Sequence, residues 1–153
     1  MFKRVCLSLF LAAASVLGFA QEKPVITVLD LTVSDVSQAE MKMIIGLLSS
    51  SLFQTGFFTV IDVSQRDNVL KELQFSMSGC TDESCALEIG KMLAAEGIVV
   101  GSIGRVGTKY VLSVKLLETE TGRTLSTADG IFKDLDELLD GTFPLAEKLA
   151  RPY

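Results

Sequence analysis

Two cysteines, Cys80 and Cys85, stand with four residues between them in the segment SGCTDESCALEIG. That spacing is wider than the two-residue gap of a thioredoxin-type dithiol, and zinc would need two further soft ligands that the chain does not offer. The chain contains no histidine, which removes imidazole both as a general base and as a metal ligand. Asp30 and Asp62 each close an apolar run. Carboxylates at the ends of parallel strands lie where open α/β sheets hold ligands, so the two mark a candidate ligand edge. Without a companion acid, base or metal they assign no catalytic step.

Other candidates for chemistry have plainer readings. Ser49, Ser50 and Ser51 fall mid-helix, with no base to activate a nucleophile and no glycine-flanked elbow. The run Gly101 to Gly107 (GSIGRVG) is followed by KYVLSVKLL, a strand pattern, whereas a phosphate cradle must open a helix. It therefore reads as a hairpin. Lys42, Lys71 and Lys91 sit among acidic neighbours on helical stretches and read as solvated. Asp134, Asp136, Glu137 and Asp140 read as a solvated helix face. No catalytic residue, metal site or cofactor is expected.

The compartment is written in residues 1–20. Lys3 and Arg4 precede an apolar run from Val5 to Phe19, and Gly18-Phe19-Ala20 supplies small residues for cleavage. This is the pattern of a secretory signal peptide, and the run is shorter than the roughly 20 apolar residues of a membrane span. Cleavage near Ala20 would leave Gln21, not a lipidated cysteine, at the start of a single domain over 21–153 that is periplasmic or secreted and has no integral span. Loss of Lys3 and Arg4 takes the formal charge from −5 to −7, which disfavours nucleic acid. Cys6 leaves with the signal, so an oxidising compartment retains one pair, Cys80 with Cys85, expected as a structural disulfide.

The elements that must position these groups follow from pattern. Val25–Leu31 reads as a strand buried on both faces. Ser37 and Glu40 form a capping box for a helix to Gln54, with Met43, Leu47, Leu48, Ser51 and Leu52 inward and Gly56 as the stop. Phe57–Asp62 is the next strand, completing a βαβ unit. Ser64 caps a helix to Gln74 that turns Val69, Leu70 and Leu73 inward. Asp82 and Glu83 favour the start of a helix over Ser84–Glu96, facing the sheet with Leu87, Ile89, Met92 and Leu93 and ended by Gly97. Ile98–Val106, Lys109–Leu117 and Arg123–Ile131 form an antiparallel meander, and a last helix should break or kink at Gly141 and Pro144. The fold class is α/β, one domain, a mixed sheet of about five strands with helices packed on it.

The order VITVLDL, LFQTGFFTVIDVSQRDNVLKELQF, then SGCTDESCALEIGKMLAAEGIVVGSIGRVGTKYVLSVKLLETETGRT resembles the periplasmic domain of the curli secretion-channel family. It is also similar to the lipoprotein activators of penicillin-binding proteins and to the amino-terminal domain of the Tol translocation protein. The likeness runs from about Val25 to about Ala128, with TGFFTVID, GIVVGSIG and LLETETG as its most specific pieces. It implies a module that works by protein contact without catalysis. The channel proteins carry a lipidated cysteine where this chain has Gln21, and they build barrels from long amphipathic strands not seen here. The expected function is a non-enzymatic module assisting assembly or regulation of an envelope complex, with envelope proteins as partners and self-association allowed. The alternative is a periplasmic small-ligand-binding domain.

Overall fold

The computed structural model describes residues 22–73 and 82–153. Residues 1–20, expected as a signal peptide, and Cys80 lie outside the described residues. The elements are β1 (Val25–Val28), β2 (Thr32–Ser34), α1 (Gln38–Gln54), β3 (Thr59–Ile61), α2 (Val63–Glu72), α3 (Glu83–Met92), β4 (Gly97–Val106), β5 (Lys109–Glu118), β6 (Thr124–Phe132) and α4 (Leu135–Ala150). They build one mixed α/β domain. Its six-stranded sheet runs β3-β1-β4-β5-β6, with β2 also beside β4. β1 is parallel to β3 and β4, and β4, β5 and β6 form the expected antiparallel meander.

The first strand differs from its sequence reading. Val28 pairs with Val99 and Thr32 with Ser102, so four steps along one strand face three along β4. The extra residue is a bulge that divides Val25–Leu31 and adds β2 to the sheet. Leu29 still donates to the Val99 carbonyl at 2.9 Å, so the excess falls at Asp30 and Leu31. Asp30 is thereby lifted off the ladder.

All four described helices start on a side-chain cap. Ser37 accepts from the Glu40 amide, and Glu40 Oε2 accepts from the Ser37 amide at 2.9 Å, completing the capping box. Asp62, Asp82 and Asp134 cap α2, α3 and α4 by accepting from the amides of Gln65, Cys85 and Glu137. The cap of α2 is thus Asp62 rather than Ser64, whose hydroxyl instead donates to Asp62 Oδ1 at 2.6 Å. A carboxylate satisfies the orphan amides and the helix dipole together, so it wins over a hydroxyl two residues later.

The inward face of α1 is Met41, Ile44, Ile45, Leu48 and Leu52, whereas Met43 and Leu47 are exposed. At about 100° per residue, Met43 lies roughly 200° round the helix from Met41, so only one of the two sets can face the sheet. On α2, Leu70 is buried but Leu73 is exposed, and Arg66 is 1% exposed. On α3, Ile89 is buried and Met92 exposed. That helix ends at Leu93, where Ala94 takes the left-handed conformation (φ 51°). Gly97 therefore starts β4 instead of ending the helix.

Helix α4 runs unbroken through Pro144. Leu138 before it and Leu145, Ala146, Leu149 and Ala150 after it are buried in one core, which holds both halves in line despite the missing amide. Inside the layer, Ser51 Oγ of α1 lies 3.3 Å from Thr142 Oγ1 of α4.

Helices α1 and α4 cover one face of the sheet, over Val99, Leu112, Val114 and Leu116. A smaller cluster of Leu29, Leu70, Ala86, Ile89, Ile98 and Leu117 lies under α2 and α3 on the other face. α3 stops short of the distal half of β4, β5 and β6, and that half is where the candidate site lies.

Candidate functional site

Strand alternation decides which residues this second face presents. On β5 the odd-numbered positions point away from α1 and α4, and Ser113 and Lys115 follow Leu117 along that side. Register then builds a row across four strands. Thr32 pairs with Ser102, Ser102 with Ser113, and Ser113 with Asp129. A second row joins Val100, Lys115 and Thr127. With the start of α3 as one wall and Asp30 at the bulge as another, these rows bound a cavity of about 510 Å³. Its lining includes the apolar Leu29, Ala86 and Val100.

Gly101 lies in the floor between the rows. A Cβ there would stand 2.1 Å from the Ser113 carbonyl oxygen, so the backbones of β4 and β5 approach too closely for any side chain. The glycine-rich run is thus a strand and hairpin, with Gly107 (φ 63°) in the turn.

Each charged group of the cavity has a structural partner. Glu83 at the first turn of α3 pairs with Lys115 of β5, and Ser113 Oγ donates to Asp129 Oδ1. Asp82 accepts from the Cys85 amide at 2.9 Å and from Ser84 Oγ at 2.7 Å. Those bonds, the Cys85 amide first, hold its carboxyl below the ordinary carboxylate range. Asp30 Oδ1 accepts from Arg66 Nη2 at 2.9 Å.

Arg66 organises this corner, and it was absent from the sequence reading. Pairing of β3 with β1 ends at Ile61 and Thr27, so the Val28 carbonyl beyond has no strand partner on that side. Arg66 Nη1 donates to it at 2.6 Å. Nε and Nη2 both reach Asp67 Oδ1, at 2.8 and 2.7 Å. The one available signal is that Arg66 precedes the inward Leu70 by four residues, on the same helix face.

The two aspartates of the expected ligand edge therefore part company. Asp30 borders the cavity, 42% exposed, whereas Asp62 caps α2 and is not among the lining residues. Bonds from Ser64 and then the Gln65 amide hold the Asp62 carboxyl below its ordinary range. The serines of α1 are structural, since Ser49 and Ser51 are buried and Ser51 engages Thr142. Lys42, Lys71 and Lys91 are exposed. Asp134 caps α4, and Glu137 Oε2 accepts from the Lys133 amide. Among the described residues, no three His, Cys, Asp or Glu side chains are grouped to hold a metal ion, and no helix is long and apolar enough to cross a membrane.

Comparison with known proteins places this geometry. A family model described as curli production assembly/transport component CsgG matches residues 12–113. A search of curated protein sequences finds no match. Among solved structures, the LpoB C-terminal domain from Salmonella enterica superposes with a TM-score of 0.58 at 17% identity, covering 75% of this chain and 87% of that one. A PelC dodecamer from Paraburkholderia phytofirmans gives 0.52 at 12% identity, covering 87% and 90%. TolB from Acinetobacter baumannii gives 0.53 at 10% identity, covering 86% of this chain and 28% of that one. At such identities these likenesses establish the shared fold.

Proposed function

This chain belongs to the curli production assembly/transport component CsgG family, and from that premise we propose that it is a non-enzymatic periplasmic module that assists assembly or regulation of a cell-envelope complex. The observation that carries the reading is apolar surface on α1 and just beyond it. Met43 and Leu47 face outward from the helix, and Phe53 (64% exposed) and Phe57 follow at its end. Large side chains exposed along one element are the usual mark of a docking surface. Against catalysis stands the state of the cavity, where every carboxylate already serves a cap or a pair. The proposal includes export by residues 1–20 with cleavage near Ala20, a mature domain over 21–153, and a Cys80–Cys85 disulfide. It also allows the self-association seen in the PelC dodecamers.

Photo-crosslinking in cells tests this. A benzophenone side chain at Leu47 or Phe53 should yield a discrete adduct with one envelope protein, or with a second copy, while the same probe at exposed Glu147 on α4 should not. Absence of an adduct from every exposed position would sink the reading. A second reading, small-ligand binding, is favoured by the cavity, whose size lies within the range of ligand pockets.

A further inference from the structure

The row Thr32–Ser102–Ser113–Asp129 runs straight across four strands of the open sheet face and ends on a carboxylate. Adjacent strands are about 4.8 Å apart, so it presents three hydroxyls and one charge at regular intervals inside the cavity. Ser113 donates its proton to Asp129, which leaves the Ser113 oxygen as an acceptor polarised by the carboxylate behind it. The remaining carboxylates at the wall use one oxygen each. Asp30, Asp82, Glu83 and Asp129 hold their contacts through Oδ1 or Oε1, and their second oxygens have no partner among the described residues. Lys115, the only cation among the described lining residues, is already paired with Glu83. The chemistry on offer is therefore acceptor oxygen and excess negative charge above an apolar floor of Leu29, Ala86 and Val100. Among the described residues no aromatic ring lines the cavity for a sugar to stack on, and the acceptors repel anions.

We propose that this cavity binds an organic ammonium group, held by Asp129 and the Ser113 oxygen, with its aliphatic stem along Val100 and Ala86. The inference rests on the ligand-binding reading and names its ligand class. A primary ammonium carries three donors and no acceptor, which matches a site that offers acceptors. Four or five methylenes would bury against the floor while the charge stays at the mouth. A free diamine and the side chain of a lysine share this chemistry.

The test is titration of the protein purified from cells, followed by backbone amide shifts in low salt. The probes are 1,5-diaminopentane, a lysine blocked at both ends, and uncharged 1,5-pentanediol. Saturable shifts confined to Ser102, Ser113, Thr127 and Asp129 are expected with the two amines and not with the diol. Asp129→Asn, isosteric and at an exposed position, should weaken the amines about fivefold or more, and Asp136→Asn on α4 should not. Tighter binding of the blocked lysine assigns a lysine of a protein partner, and tighter binding of the diamine a free polyamine; either supports the site. Equal binding of the diol at these residues would overturn the ammonium assignment and leave ligand binding standing. No localised shift with any probe, or equal weakening by Asp136→Asn, would overturn both.

Discussion

The ring of Phe132, the last residue of β6, lies against Gly141 of α4, where a Cβ would come within 2.2 Å of Cε1. The same ring covers Gly130 on its own strand, with a Cβ-to-Cζ separation of 2.4 Å. One side chain thus seats the last helix on the edge strand, and the glycine in that helix is a matter of packing. Gly141→Ala should lower stability by about 1–2 kcal/mol, although alanine is the better helix former by about 1 kcal/mol. In a Phe132→Leu background the same change should become neutral or stabilising. Urea midpoints of the four proteins in this cycle measure the coupling; additive effects would show that the ring does not set the residue.

Arg66→Met should cost about 2–3 kcal/mol, because the Val28 carbonyl loses its donor and Asp30 and Asp67 lose their shared cation. Arg66→Lys should recover little of this, since a single ammonium cannot serve a carbonyl and two carboxylates in three directions. Denaturant midpoints with unchanged slopes would report it. Full rescue by lysine would show that charge alone matters at this corner.

Acid should weaken the fold through its helix starts. The Glu40 carboxyl is held below its ordinary 4.5 by the Ser37 hydroxyl, then the Ser37 amide and Tyr110; Asp62 is held below 3.8 by the Ser64 hydroxyl and then the Gln65 amide, and Asp82 by the Cys85 amide and then the Ser84 hydroxyl. A depressed folded-state value contributes stability that is complete above the unfolded value and is lost as pH falls through the folded one. Unfolding midpoints should therefore be flat above about pH 5.5 and decline below about pH 4.5. Glu40→Gln should shrink that decline; a curve parallel to the parent would exclude the Glu40 contribution.

At the alkaline end the sign reverses. Burial, then the bond to Glu40, raises the Tyr110 hydroxyl above its ordinary 10.0. Its share of stability is complete below that value and disappears as pH climbs through the raised one. Tyr110→Phe should flatten the loss above pH 10, as followed by thermal midpoints between pH 9 and pH 11.

The proposed Cys80–Cys85 bridge closes a short loop, for which the chain-entropy model gives about 2 kcal/mol. Thiol-specific mass labelling of the unreduced protein should find no reactive cysteine in the exported form, and reduction should lower the thermal midpoint by several degrees. Full labelling without reductant would remove the bridge from the proposal.

Much of the frame was legible in the chain because it is written in short-range chemistry. Ser37 with Glu40 announces α1, the run Gly101 to Gly107 marks the hairpin of β4 and β5, and KYVLSVKLL declares β5 a strand. The failures share one cause, which is competition that only the folded chain resolves. Asp62 and Ser64 both suit a cap, and the choice depends on where β3 ends. Met43 and Met41 both suit a core, and the choice depends on the sheet. Asp30 was visible as a candidate, but its place at the cavity follows from a one-residue excess over β4. The hydroxyl row could not be read at all, because Thr32, Ser102, Ser113 and Asp129 become neighbours only through register.

The junction of α4 with α1 also governs the order in which this molecule can come into being. Leu138, Leu145 and Leu149 fill the same core as Ile44 and Leu48, and Ser51 meets Thr142 across 91 residues of chain. Until the final sixteen-residue helix is available, Leu112, Leu116 and the inner side of α1 have nothing to cover them. Contacts of such long sequence separation make folding slow and nearly all-or-none. A ribosome-bound chain therefore stays open until α4 arrives, and loss of α4 removes the protein rather than trimming it.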